Sequence, residues 1–228
     1  MSTEVKICGV NAAEAVDAAL SAKADYLGLV FFPRSPRHLM PAQAASLAAR
    51  ARGRARLVAL LVDAGDEAIA SAIAAARPDF LQLHGQETPE RVGAVRAKFG
   101  LPVIKALAVA ELADLVPVPM YEQAADMLLF DAKAPGSADR PGGHGAAFDW
   151  QLLKGRKFAR PWLLAGGLNA GNVARAIAAS GAPGVDTSSG VEAAPGKKSA
   201  ELIREFVAAA RGAQSAGQST ESTTGSAA

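Results

Sequence analysis

Short apolar runs alternate with longer alanine-rich stretches along nearly the whole chain, and this rhythm limits the fold more than any other feature. The runs are VKIC (5–8), YLGLVFF (26–32), LVALLV (57–62), FLQL (80–83), PVIKAL (102–107), MLLFD (127–131), WLLA (162–165) and GVDTSS (184–189). Each has the length of a strand buried on both faces, which reads as continuously apolar. Between most of them lies room for a crossover helix, at 12–22, 41–52, 66–76, 89–98, 169–179 and 199–210. Asn11, Thr88 and Asn169 are placed to cap helices, and Pro41 and Pro89 suit a first turn, where a missing N–H costs nothing. Two units are weaker: 112–125 is interrupted by Pro117 and Pro119, and 148–153 allows only a short helix. Strict alternation implies a parallel sheet covered by helices. Eight strands favour a single closed (β/α)8 barrel of the α/β class over an open sheet.

The barrel is expected to occupy residues 1–210, because the rhythm holds as far as Arg211. Residues 211–228 are small and polar with little to bury, and read as a disordered tail. AKAPGSADRPGGHGAA, after the sixth run, reads as a long mobile loop over a site. The formal charge of +2 gives no nucleic-acid signature, and one cysteine in 228 residues allows no internal disulfide. Neither a signal peptide nor a run of roughly 18 apolar residues is present, so a cytoplasmic protein without a membrane partner is expected. The three histidines have no metal-ligand spacing, and the glycine spacings match neither a dinucleotide fingerprint nor a P-loop. No metal, NAD or ATP is therefore expected.

In such a barrel the site forms at the carboxyl ends of the strands. Those ends carry Cys8, PRSPRH, Asp63, HGQE, Asp131, GGLN and TSSGVE. Cys8 and Asp131 have acid/base potential, provided the thiol is partly exposed and partly ionised and the carboxyl holds a proton. The alternatives are a buried core thiol and a loop-capping carboxylate. Alternation sends Lys6 inward with Cys8, and its ammonium then needs Asp131 or Asp186 as partner. Two turns, around Gly166 and Gly167 and around Ser189 and Gly190, present backbone amides that suit a phosphate. Arg37, in a proline-restricted loop, suits a carboxylate or phosphate. His84 and Gln82 point the same way at the fourth strand end, His84 as either a contact or a hydrogen-bonded structural residue. Phe32, Met40 and Met120 belong either to an interface or to the core, which leaves monomer and homodimer both open.

In order, VKICG, DYLGLVFFPRSPRHL, FLQLHG, VIKA, LLFDAKAPG…GGHGAAFDW, LLAGGLNAGNV and VDTSSGVEAAPGKK resemble the phosphoribosylanthranilate isomerase family from Val5 to about Ala209. The resemblance implies a (β/α)8 barrel with no cofactor or metal. The implied reaction is an Amadori rearrangement of N-(5-phosphoribosyl)anthranilate to 1-(2-carboxyphenylamino)-1-deoxyribulose 5-phosphate, in tryptophan biosynthesis. It further implies Cys8 as general base, Asp131 as general acid and Arg37 near the anthranilate. Phosphate contacts are implied at Gly145, Gly166, Gly167, Ser189 and Gly190. Two positions depart from the family's habit: Lys23 stands where Gly is common, and Asn11 where Thr is common. Two other enzyme readings compete, indoleglycerol-phosphate synthase, for which Lys105 is the only comparable lysine acid, and a sugar-phosphate epimerase, which calls for metal-spaced histidines. A barrel reduced to a binding module would lack Cys8 or Asp131.

Overall fold

Strand formation follows the apolar runs closely. A computed structural model describes residues 2–133 and 147–218, with side chains as far as Ala213. The elements are β1 (Glu4–Cys8), α1 (Ala13–Ser21), β2 (Tyr26–Val30), α2 (Pro41–Ala51), β3 (Arg56–Leu61), α3 (Asp66–Ala76), β4 (Phe80–Leu83), α4 (Pro89–Phe99), β5 (Val103–Val109) and α5 (Val118–Ala124). They continue with β6 (Met127–Ala132), β7 (Trp162–Leu164), α6 (Val173–Ser180), β8 (Gly184–Thr187), β9 (Glu192–Ala194), β10 (Lys197–Lys198) and α7 (Ala200–Gln218). Short 3₁₀ turns at Leu112–Leu115, Trp150–Leu153 and Ser189–Val191 complete the set. Strands β1 to β8 pair in chain order, all parallel, and β8 returns to β1, which closes the barrel.

Closure creates two apolar layers. Tyr26, Val58, Ile104, Ala106, Met127, Leu129, Leu163 and Ala165 fill the inside of the barrel, while Val5, Ile7, Leu27, Leu81, Leu128 and Phe130 join the helices outside it. Each fully buried aliphatic side chain contributes roughly 1.5–3 kcal/mol of transfer free energy. A repeated device seals the lower rim. Asp25, Asp79 and Asp126, each just before a strand, accept from the N–H of Val5, Leu57 and Val103 on the neighbouring strand at 2.7 to 2.9 Å. These edge amides are thereby satisfied where the ladder ends.

Several local expectations change. Thr88 caps α4, accepting from Arg91 N at 3.3 Å, but Asn11 does not cap α1. Its Nδ2 donates to Gly196 O, and Ala12 holds the cap position. Asn169 does not start α6, which begins at Val173. Its Oδ1 accepts from Gly171 N, and Asn172 Oδ1 accepts from Asn169 N while Asn172 Nδ2 donates to Gly167 O. Both asparagines brace loops instead, because short amide side chains bond equally well to nearby turns. Strand β2 stops at Val30, so Phe32 leaves the sheet for the barrel mouth. Met40 and Met120 are exposed rather than core. The hairpin β9–β10 is an addition to the expected elements. Helix α7 passes the expected boundary at Arg211 and continues to Gln218. The expected loop over the site lies mostly outside the described residues, which exclude 134–146 and with them Gly145. Among the described residues, no helix is long and apolar enough to cross a membrane.

Candidate active site

The upper ends of the strands surround a cavity of about 670 Å³ that includes its open mouth, within the range of small-molecule sites. Val30, Phe32, Leu60 and Val62 form an apolar wall that packs against Cys8. Facing into the same space are His84 from the end of β4 and Asp131 from β6, and the rest of the wall includes Gly166, Gly167, Leu168, Ser188 and Ser189. Cys8, Asp131, Arg37, His84, Gly166, Gly167 and Ser189 all line this cavity. Gly190 does not; a Cβ there would overlap the Leu168 carbonyl, so it serves as a packing point behind the wall.

Gly166 shows why a glycine follows β7. Its φ is +90° and an added Cβ would lie 2.7 Å from Ala132 N, so only a bare backbone permits the chain to turn so close to β6. Gly167 follows at φ +62°, and its carbonyl is tied by Asn172 at 2.9 Å. Thr187 Oγ1 donates to Leu168 O at 2.7 Å, which binds the loops after β7 and β8 together. Two adjacent loops of small residues thus present backbone to the cavity, an arrangement that suits an anion of phosphate size.

Asp131 is nearly buried at 9% exposure. Its Oδ1 accepts from Ala132 N at 2.9 Å, and its Oδ2 lies 3.1 Å from His84 Nε2. His84 Nδ1 in turn lies 2.8 Å from the amide nitrogen of Gln82, which is fully buried. An amide nitrogen only donates, so this orientation puts the ring proton on Nε2 and matches an ionised Asp131. Turning the Gln82 amide over would place its oxygen on Nδ1–H and let Nε2 accept the proton of a neutral Asp131. The Gln82–His84 pair can thus hydrogen-bond the carboxyl in either orientation of the amide.

Cys8 departs from expectation. The residue is 5% exposed, and burial pushes the thiol above its ordinary value of 9.0. The positive charges of Lys6 and Lys198 pull the other way and are outweighed. Desolvation wins because Gly28 lets β2 approach the sulfur closely and Val30 and Leu60 pack against it. Lys6 points inward as the alternation required, and of the two candidate partners it pairs with Asp186, at 2.8 Å.

Arg37 also differs from a free substrate contact. Its Nε and Nη2 donate to Glu192 at 2.6 and 2.8 Å, and Lys198 Nζ donates to the same carboxylate at 2.8 Å. Burial pushes Lys198 down to about 8. Burial by itself would raise the Glu192 carboxyl, but Arg37 and Lys198 hold it below the usual glutamate value. Glu192 was visible in TSSGVE as a strand-end carboxylate. Its partner was not legible, because Arg37 lies more than 150 residues away. Lys105, the lysine on which the synthase alternative depends, is outside the cavity lining and fixed on Glu87 at 2.6 Å. Among the described residues, no three His, Cys, Asp or Glu side chains are grouped to hold a metal ion.

A barrel with this strand-end set is matched by the N-(5′-phosphoribosyl)anthranilate (PRA) isomerase family over residues 5–209. The chain belongs to that family. It is 51% identical over 214 residues to the N-(5′-phosphoribosyl)anthranilate isomerase of Rhizobium meliloti (strain 1021), covering 94% of this chain and 100% of that protein. Against the isomerase of Rhodopseudomonas palustris (strain BisB18) the identity is 54% over 214 residues, with 94% and 98% covered. The crystal structure of phosphoribosyl anthranilate isomerase from Thermotoga maritima superimposes with a TM-score of 0.82 at 33% identity, covering 92% of this chain and 99% of that one. A phosphoribosyl anthranilate isomerase crystallised with reduced 1-(o-carboxyphenylamino)-1-deoxyribulose 5-phosphate has a TM-score of 0.79 at 31% identity, with 92% and 99% covered. The chain is thus an isomerase of tryptophan biosynthesis that acts on phosphoribosylanthranilate.

Proposed function

We propose that the cavity converts N-(5-phosphoribosyl)anthranilate to 1-(2-carboxyphenylamino)-1-deoxyribulose 5-phosphate, with Asp131 as general acid and Cys8 as general base. One observation carries the assignment: a thiol and a carboxyl enter a single cavity from strands β1 and β6. Asp131 protonates the furanose ring oxygen and the ring opens to a Schiff base. Cys8 thiolate then takes the C2 proton, and the enolamine tautomerises to the aminoketone. Two positioned proton transfers, each worth roughly 10²- to 10⁴-fold, supply the chemistry.

The same reading distributes the substrate around the cavity. Backbone at Gly166, Gly167 and Ser189 takes the phosphate, together with Gly145 as a further contact. Val30, Phe32, Leu60 and Val62 supply an apolar surface for the anthranilate ring. Arg37 Nη1 is the guanidinium nitrogen left for the anthranilate carboxylate once Glu192 has taken Nε and Nη2. His84 holds Asp131 through its transfer. A cytoplasmic enzyme, monomeric or homodimeric, completes the proposal.

The test follows the fluorescence of freshly made phosphoribosylanthranilate with purified protein, alongside Cys8→Ser and Asp131→Asn. Fast decay with the parent and near-background decay with both variants is expected. Parental turnover in either variant removes that residue from its role.

A further inference from the structure

Lys6 is a fully buried ammonium inside the barrel, and fold stability does not explain it. A buried ion pair is often no more stabilising than apolar side chains of the same volume. Its Nζ is 2.8 Å from Asp186 Oδ1, and the two residues are register partners on β1 and β8. That contact uses one of three ammonium hydrogens. Cys8 lies two residues along β1 on the same face, where its sulfur and the ammonium act on each other electrostatically. Across from Cys8 on β2 stands Gly28. A Cβ on Gly28 would sit 2.9 Å from Cys8 Sγ and 3.3 Å from Lys6 Nζ. The missing side chain is what lets ammonium and sulfur share that corner.

We propose that Lys6 is a positioning residue for the isomerisation: anchored by Asp186 beside the Cys8 sulfur, its ammonium stabilises the thiolate that accepts the C2 proton. This rests on Cys8 being the base. Without an adjacent fixed cation, a thiol this buried would ionise only at still higher pH. In the step, the thiolate lone pair forms an S–H bond, and the C2–H electrons become the C1–C2 double bond. The former imine electrons move onto the protonated nitrogen. Lys6 keeps all its protons throughout, and Asp186 and Cys8 outweigh burial in keeping it charged. Three charged groups act on the sulfur: Lys6 from β1 and Lys198 from β10, which favour the thiolate, and Asp186 from β8, which opposes it. His84 and Asp131 stand on the far wall of the cavity, and Gly28 on β2 is uncharged.

Cys8 is the single cysteine, so the rate of iodoacetamide modification against pH reports its ionisation directly. Lys6→Met should move that inflection upward by about one pH unit or more, and lower kcat at least tenfold with KM within about threefold. Lys6→Arg should restore the inflection and most of kcat. Should Lys6→Met not fold, Gly28→Ala, which wedges the pair apart, should shift the inflection in the same direction. An unmoved inflection while Cys8→Ser is inactive would overturn the role of Lys6 alone. A moved inflection with parental kcat, and turnover retained in Cys8→Ser, would overturn the proposal through its premise, since Cys8 would then not be the base.

Discussion

Arg37 and Glu192 meet in a two-point contact, Nε and Nη2 against the two carboxylate oxygens, at 2.6 and 2.8 Å. The pair joins the loop after β2 to the hairpin after β8 and fixes the plane of the guanidinium beside the cavity. Lys198 shares the carboxylate and donates as well to Ser188 O, while Ser188 Oγ donates to Cys8 O. One buried anion therefore organises two cations and touches the end of β1 through them.

Replacing Glu192 with Gln should raise KM about tenfold, through a guanidinium free to turn, with a smaller effect on kcat. It should also cost about 3 kcal/mol of stability by leaving buried cations without their anion. Steady-state kinetics and urea unfolding report the two effects separately. Because Glu192 is held below the ordinary glutamate value, its contribution is present above that value and is lost as pH falls through the folded one. Parent and variant should therefore converge in stability at strongly acid pH.

Lys198 acts with the same sign in an alkaline window. Its folded value is about 8 against an ordinary 10.5. Between those values the unfolded chain binds a proton that the folded chain does not, so this group makes stability rise with pH. Urea midpoints measured from pH 7.5 to 10 should show this rise in the parent and lack it in Lys198→Met.

Cys8→Ser and Asp131→Asn should each lower kcat by roughly 10²- to 10⁴-fold while leaving the circular dichroism spectrum unchanged. The base is the thiolate, and burial raises the thiol. Parental kcat should consequently still be climbing above pH 8. A profile already flat at pH 7 would argue that the titrating base lies elsewhere.

Lys105 separates a buried lysine from a catalytic one. Its Nζ contacts Glu87 Oε2 at 2.6 Å and Gly85 O at 2.8 Å, so Lys105→Met strands a buried carboxylate and should cost about 3–5 kcal/mol. Turnover per folded molecule should stay within twofold, measured by the same fluorescence decay at a temperature where the variant is native.

Lys23 is a non-glycine residue at φ +62°. The left-handed conformation costs a side-chain residue about 1–2 kcal/mol, part of which is offset by the greater unfolded-state freedom of glycine. Lys23→Gly should accordingly stabilise the protein by about 0.5–1 kcal/mol, seen by calorimetry as a Tm increase of about 1–4 °C.

The chain alone determined the barrel and most of its strand positions. FLQL coincides with β4, and the stretch 66–76 coincides with α3, because burial on both faces writes a local apolar run whatever the neighbours are. The inward pairing of Lys6 with Cys8 was legible for the same reason, since alternation belongs to a single strand. So was the placement of Asp131, His84 and the glycine pair after β7 at one end of the barrel. Tertiary structure decided what those side chains meet. Arg37 found Glu192 across the molecule, Asn11 turned to Gly196, Gly190 packed behind the wall, and the Cys8 thiol was driven upward by the strands that cover it. Which face a residue takes is a property of its own few neighbours in sequence. Its exposure and its charge partners arise only when eight strands close, because desolvation and ion pairing depend on groups that sequence distance keeps apart.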